Sequence, residues 1–131
     1  MVLVVLLFPS LALGETVKWG DLVEREGLTY KKFTDVPFTG KVTGLSQGKL
    51  KNGKKDGPWV GYHKKGQLRN KGTYKNGKKD GSWVDFWSNG QLWLKGTYKD
   101  GKEEGPWVGY KKDGTVWEEY TGTFKDGKKV K

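Results

Sequence analysis

The 131-residue chain has no cysteine, a single histidine, one methionine and four prolines. Without cysteine it can form neither a disulfide framework nor a thiolate zinc site, and no lipid anchor can attach through that residue. The lone histidine, His63, has no second imidazole or thiolate to share a metal with. Long apolar runs are missing too. The run from Val2 to Phe8 falls far short of the about 20 residues that span a bilayer. Mean hydropathy is low, at −0.80, and 21 residues are glycine. That pairing could describe a disordered chain, but disordered segments are poor in rings, and Phe, Trp and Tyr make up 14% of this one, with seven Trp. The composition predicts one folded, turn-rich β domain whose apolar content sits in its rings.

The first fourteen residues stand apart. Val2 to Phe8, then Pro9, Ser10 and the small-residue triplet Ala12-Leu13-Gly14, have the layout of a secretory h-region and cleavage site, with Glu15 as the first mature residue. No Lys or Arg precedes the run, so a basic n-region is absent. Residues 1–14 are therefore expected to be a signal peptide. The mature protein is expected to be periplasmic or extracellular, neither a lipoprotein nor a helical membrane protein. The leader carries no charge, so the net charge of +10 stays with the mature chain.

Three segments align without gaps: KNGKKDGPWVGYHKKGQLRNKGTY from Lys51 to Tyr74, KNGKKDGSWVDFWSNGQLWLKGTY from Lys75 to Tyr98, and KDGKEEGPWVGYKKDGTVWEEYTGTF from Lys99 to Phe124. The unit is 24 residues, the third copy is two longer, and a fourth opens at Lys125. Gly53, Gly77, Gly101 and Gly127 close N-G or D-G pairs, which supply the positive φ of two-residue hairpin turns. Gly66, Gly90 and Gly114 mark a second class of turn half a repeat later. Between turns lie short β-branched and aromatic stretches. The expected fold is all-β: an elongated, twisted antiparallel meander of β-hairpins in one layer, with the two turn classes on opposite edges. Residues 49–131 form the array, and residues 15–48 read as divergent N-terminal hairpins.

The repeat-defining residues are Gly57, Trp59, Gly81, Trp83, Gly105 and Trp107. Each of these glycines precedes a Trp by two positions, and Gly72, Gly96 and Gly122 precede Tyr or Phe in the same way. Glycine within a strand often marks close approach by another group, so all six are expected to lie beside a ring. Two stacked ladders follow, Trp59–Trp83–Trp107 and Tyr74–Tyr98–Phe124. Alternation places Val60/Tyr62, Val84/Phe86 and Val108/Tyr110 on the expected packing face. The variable column His63, Trp87, Lys111 is expected to face solvent, and Glu118-Glu119 to sit in a bulge.

The pattern K-[ND]-G-K-x-[DE]-G-x-W-V-x-[YF]-x-x-x-G-x-[LV] resembles the bacterial variant of the MORN repeat. The resemblance covers Lys49 to Lys131 and extends more weakly over Leu22–Gly44. It implies an elongated hairpin array with no catalytic residue to transfer. Many bacterial members are labelled as the antitoxin component of a toxin–antitoxin system, and eukaryotic ones are linked to phospholipid binding, dimerisation and scaffolding. An export signal fits an intracellular antitoxin badly.

Catalytic, metal and cofactor sites are not expected. Neighbours such as Glu118 and Glu119 on a strand would point to opposite faces. The acids Asp56, Asp80 and Glu104 recur at about 9–10 Å, too far apart to share one calcium ion. Lysines carry the remaining pattern. Lys51, Lys54, Lys55, Lys75, Lys78, Lys79, Lys99, Lys102, Lys125, Lys128 and Lys129 all flank N-G or D-G turns, so they should line one edge as a basic strip. Such a strip keeps a sheet edge soluble and would also attract anionic lipid or an acidic envelope polymer. Export makes nucleic acid an improbable partner. The functional expectation is an exported, non-enzymatic interaction or scaffold module for an unknown protein partner, with self-association through the open ends of the array a further expectation. The alternatives are an antitoxin and a carbohydrate or cell-wall module. Against the last, Trp-rich solenoids that bind choline or glucans have shorter units with a G-W…W-Y-Y pattern.

Overall fold

A computed structural model describes residues 15–131; the expected signal peptide lies outside the described residues. Twelve strands follow in order: β1 Thr16–Lys18, β2 Leu22–Arg25, β3 Leu28–Lys31, β4 Gly40–Thr43, β5 Ser46–Lys51, β6 Lys54–Tyr62, β7 Leu68–Lys75, β8 Lys78–Phe86, β9 Leu92–Lys99, β10 Lys102–Gly109, β11 Gly122–Lys125 and β12 Lys128–Lys129. Ten form one sheet in the order β1-β4-β5-β6-β7-β8-β9-β10-β11-β12. Every pairing from β4 onward is antiparallel between sequence neighbours. The all-β hairpin meander expected from turn spacing is thus the fold.

The N-terminal end departs from a plain meander. β1 pairs with β4 in parallel, and β2–β3 form a separate two-stranded sheet. That hairpin closes the array by backbone bonds: Thr29 N–H donates to Gly53 O, Gly53 N–H to Phe38 O, and Phe38 N–H to Thr29 O, all at 2.8–2.9 Å. Among the described residues, this end also holds the cluster of buried hydrophobic side chains, Val17, Leu22, Phe38, Val42, Leu50 and the first repeat tryptophan, Trp59.

The two-residue turns Asn52-Gly53, Asn76-Gly77, Asp100-Gly101 and Asp126-Gly127 have φ of 49–51° at the first residue and 79–84° at the second. Positive φ at both central residues is the type I′ pattern, whose twist matches the flanking strands. Glu26-Gly27 does the same at 49° and 80° without an N-G or D-G signature.

Four of the six glycines expected beside rings need correcting. A Cβ on Gly48, Gly72 or Gly96 would run into the indole of Trp59, Trp83 or Trp107, so these glycines do lie beneath rings. Gly57, Gly81 and Gly105 do not: a Cβ there meets nothing, or only Thr73 at 3.9 Å. They are required for conformation, at φ of 84°, 104° and 79°. Each sits where the pairing register slips, a bulge that bends the strand. Gly122 faces the Lys131 carbonyl rather than a ring.

The bend overturns the expected packing face. Trp59, Trp83 and Trp107 are 3–5% exposed, whereas Val60, Val84 and Val108 are only half-buried. Nor do the rings form two stacked ladders. They alternate in a single spine, Trp59–Tyr74–Trp83–Tyr98–Trp107–Phe124, with centroids 4.9–6.4 Å apart and planes at 68–88°. Edge-to-face contact suits ring quadrupoles better than a sandwich does, and a Tyr from each returning strand fills the gap of two strand widths between tryptophans. Trp59 Nε1 donates to Lys49 O, Trp107 Nε1 to Thr97 O, and Trp83 Nε1 to the Asp85 carboxylate. Burial pushes the pKa of Asp85 up. Glu118-Glu119 opens a 3-10 turn, Glu118–Tyr120, rather than a bulge.

Candidate functional site: two turn edges and an open groove

The N-G and D-G turns stack directly on one another. Gly77 N–H donates to Lys55 O, Gly101 N–H to Lys79 O and Gly127 N–H to Glu103 O, at 2.8–3.0 Å. The recurring acids reinforce this edge, because Asp80 accepts the Asp100 N–H and Glu104 the Asp126 N–H. Two of the three turns with an acid one repeat earlier are thus capped by it, a role that spacing alone did not reveal; Asp56 gives the Asn76-Gly77 turn no such bond. Lys51, Lys75, Lys99, Lys125 and Lys128 stand exposed on this edge. Lys54, Lys78 and Lys102 are exposed too, but their stems lie along Gly77, Gly101 and Gly127 of the next turn. The ammonium of Lys129 donates to Glu118 O.

Two lysines leave the strip. Lys55 and Lys79 are half-buried. The Lys55 ammonium lies 4.7 Å from the Trp59 ring, 4.9 Å from Tyr74 and 5.9 Å from Trp19. The Lys79 ammonium lies 4.3 Å from Trp83 and 5.1 Å from Tyr98. Burial, aided by the nearby charges of Lys79 and Arg69, lowers the pKa of Lys55. These cations belong to the spine.

The opposite edge corrects a further expectation. His63 and Trp87 are half-buried clips between repeats. The His63 Nε2 is 3.0 Å from Phe86 O, and Trp87 Nε1 donates to Tyr110 O at 2.8 Å. Trp87 also stacks on Trp93 at 4.5 Å and on Trp117 at 6.4 Å, with the Lys112 ammonium 5.4 Å from its ring. Only Lys111 in that column is exposed.

On the face away from the spine runs an open groove of about 920 Å³. Strand alternation sends Pro58, Val60, Ser82, Val84, Pro106 and Val108 to this face, with Lys71, Thr73, Lys95 and Thr97 from the intervening strands. Trp59, Trp83 and Trp107, with Gly72 and Gly96, also border the groove from the strands they sit in, and its charged members are the exposed lysines Lys71 and Lys95. The valine columns taken from the sequence as a packing face therefore form a groove open to solvent. Among the described residues, no group of three or more His, Asp or Glu converges as a metal site, and no helix is long and apolar enough to cross a membrane.

A comparison with curated proteins gives no match. The family described as MORN repeat variant matches twice, at residues 55–76 and 79–100. The second match begins 24 residues after the first, the same offset that separates the Trp columns. Each match takes in one bulge glycine, one buried tryptophan and one spine tyrosine. The chain therefore carries repeats of the MORN variant family, and they form the centre of its hairpin array.

Proposed function

We propose that the protein is an exported, non-enzymatic docking module that takes an extended segment of a partner protein along its groove. One observation carries this reading: half-buried valines from three successive repeats share a face that no other part of the described chain covers. Contiguous apolar surface of that kind marks interaction sites in soluble proteins. Lys71 and Lys95 at the groove and the exposed turn lysines favour an acidic partner, since like charge across an interface opposes binding.

Site-specific photocrosslinking in the native cell tests it. A photoreactive residue at Val84, in the groove, should give a discrete adduct that the same group at Thr115, on the distal turn, does not. Adducts of equal yield at both positions, or none at Val84, would remove the groove from the function. Cell fractionation with N-terminal sequencing tests export, for which the expected mature start is Glu15.

A second reading rests on the row of exposed turn lysines, which suits anionic phospholipid or an acidic envelope polymer. Binding to vesicles containing anionic lipid should fall steeply with salt, because exposed charges are screened beyond about 8–10 Å near physiological ionic strength. Salt-independent binding would rule the strip out. Retention in the cytoplasm beside a toxin would favour the antitoxin alternative, and a saturable tryptophan fluorescence change with glycans would favour the carbohydrate alternative.

A further inference from the structure

The floor of the groove is regular. Residues directly opposite one another on paired strands fall into one row across β6, β7, β8, β9 and β10: Val60, Lys71, Val84, Lys95 and Val108. Valine and lysine alternate at every strand. The valines are half-buried and both lysines are exposed. Neither lysine is paired with an acid among the described residues, whose ion pairs are Arg25–Asp35 and Lys31–Glu15. The row therefore offers three apolar contacts and two ammonium groups to the same open space.

Neighbouring strands lie about 4.7–4.9 Å apart, so like residues recur along the row at intervals of about 9.4–9.8 Å. Val60 to Val108 is four strand steps, or about 19 Å. A ligand lying along the row must repeat its own side chains at that interval. A β-strand presents one face at intervals of about 6.6–6.8 Å and falls out of step at the second valine. An α-helix returns to one face after seven residues, about 10.5 Å, and overshoots the row by about 2 Å over two repeats. A polyproline II segment has three residues per turn and rises about 3.1 Å per residue, so each of its three ridges repeats at about 9.3 Å. Two turns span about 18.6 Å, within about 1 Å of the row.

We propose that the groove binds a polyproline II segment of a partner protein with an acidic residue at every third position, in register with Lys71 and Lys95. This inference rests on the groove being the docking site, and adds the conformation and period of what it holds. One apolar ridge of the segment lies along Val60, Val84 and Val108. A second ridge brings Asp or Glu to the lysines. Neighbouring ridges are offset by about 3.1 or 6.2 Å along the axis, whereas lysine lies one strand from valine. The flexible four-carbon lysine stem takes up that difference of about 1.3–1.8 Å. The third ridge faces solvent and is unrestricted. Proline on the apolar ridge holds the segment extended in advance, which lowers the entropy lost on binding.

The test is NMR titration of the full mature chain with acetyl-Pro-Glu-Pro-Pro-Glu-Pro-Pro-amide, following the methyl groups of the three row valines. Saturable shifts are expected, at least tenfold tighter than for acetyl-Pro-Glu-Glu-Pro-Pro-Pro-Pro-amide, which has the same composition and charge with the period broken. The doubly substituted Lys71→Gln, Lys95→Gln chain should fold, because both side chains are exposed, and should bind at least tenfold more weakly. Lys51→Gln with Lys75→Gln, on the turn edge, should leave binding unchanged. Equal affinity for the two proline peptides, or an equal loss in the turn-edge variant, overturns the proposal. So does binding of the strand-forming acetyl-Val-Glu-Val-Glu-Val-amide as tightly as the triplet peptide. Photocrosslinking at Val84 separates the two levels. An adduct there without preference for the triplet peptide leaves the groove as docking site and removes the polyproline II assignment, and the absence of both removes both.

Discussion

A methyl group added at Gly72 would fall on the ring of Trp83, while one added at Gly57 would meet nothing within 4 Å. The two glycines look equivalent in the sequence, each standing two residues before an aromatic, yet they are constrained by different physics. Gly72 is fixed by space and Gly57 by its φ of 84°. Gly72→Ala should destabilise by about 1–3 kcal/mol or more through overpacking, and Gly57→Ala by about 1–2 kcal/mol through backbone strain. Asparagine separates them. Asn tolerates positive φ, as Asn52 and Asn76 do here, so Gly57→Asn should be milder than Gly57→Ala. Gly72→Asn should be worse than Gly72→Ala. Urea denaturation midpoints of the four variants check the ranking, and the same ranking at both sites would refute the distinction. Turn glycines were legible because N-G and D-G pairs carry their own conformational signature. Bulge glycines were not, since a two-residue register slip leaves no mark on strand composition.

The spine is the element on which stability rests. Cross-strand aromatic pairs are worth roughly 0.2–1 kcal/mol each, so its contribution builds up along the chain of contacts. Tyr98 is the most perturbed group within it. Burial chiefly, with the charges of Glu103 and Asp85, raises its pKa to about 12 from an ordinary value of 10.0. A phenol whose folded pKa is raised contributes stability in full below pH 10, and loses it as pH rises from 10 through about 12. Lys55 works in the opposite sense. Its lowered pKa makes stability rise with pH in the interval below 10.5. Above pH 10 the tyrosine governs, so thermal melts should show an alkaline loss on the order of 1 kcal/mol after discounting for solvent screening. Tyr98→Phe should flatten that loss, and an unchanged alkaline profile would show that the ring is not protected as described. Period-2 alternation separated the Trp face from the Val face correctly. It could not say which one packs, because curvature at the bulges decides that. The same missing curvature hid the groove, although its valines were all identified.

At the scale of the whole molecule, every interface between repeats is nearly the same interface. Removing residues 75–98 joins Tyr74 to Lys99 and leaves the contacts between repeats a replacement, Trp107 for Trp83 over Gly72, Gly101 for Gly77 at Lys55 O, and Tyr110 for Phe86 at His63, but not the contacts of Trp87 and Trp93. Such a deletion should fold, with a strand-type circular dichroism spectrum and a lower denaturation midpoint, as stability in repeat arrays sums over neighbours. An unfolded product would mean that the repeats are not interchangeable. The stack of Trp87, Trp93 and Trp117 is the one feature without a replacement, and it is where the repeats differ most in sequence. That singularity was visible only as departures from the consensus, which do not say what the departing residues touch.

The order of strands has a mechanical consequence. β1 and β12 lie at opposite ends of the sheet, and hydrogen bonds between strands run along the line joining those ends. Tension applied to the two termini therefore reaches the ladders one after another and peels them, instead of shearing many bonds together. Under load the array yields hairpin by hairpin from an end. Each released repeat pays out about 80 Å of slack, at 3.3–3.6 Å per residue over one 24-residue unit, while the repeats still folded keep their shape.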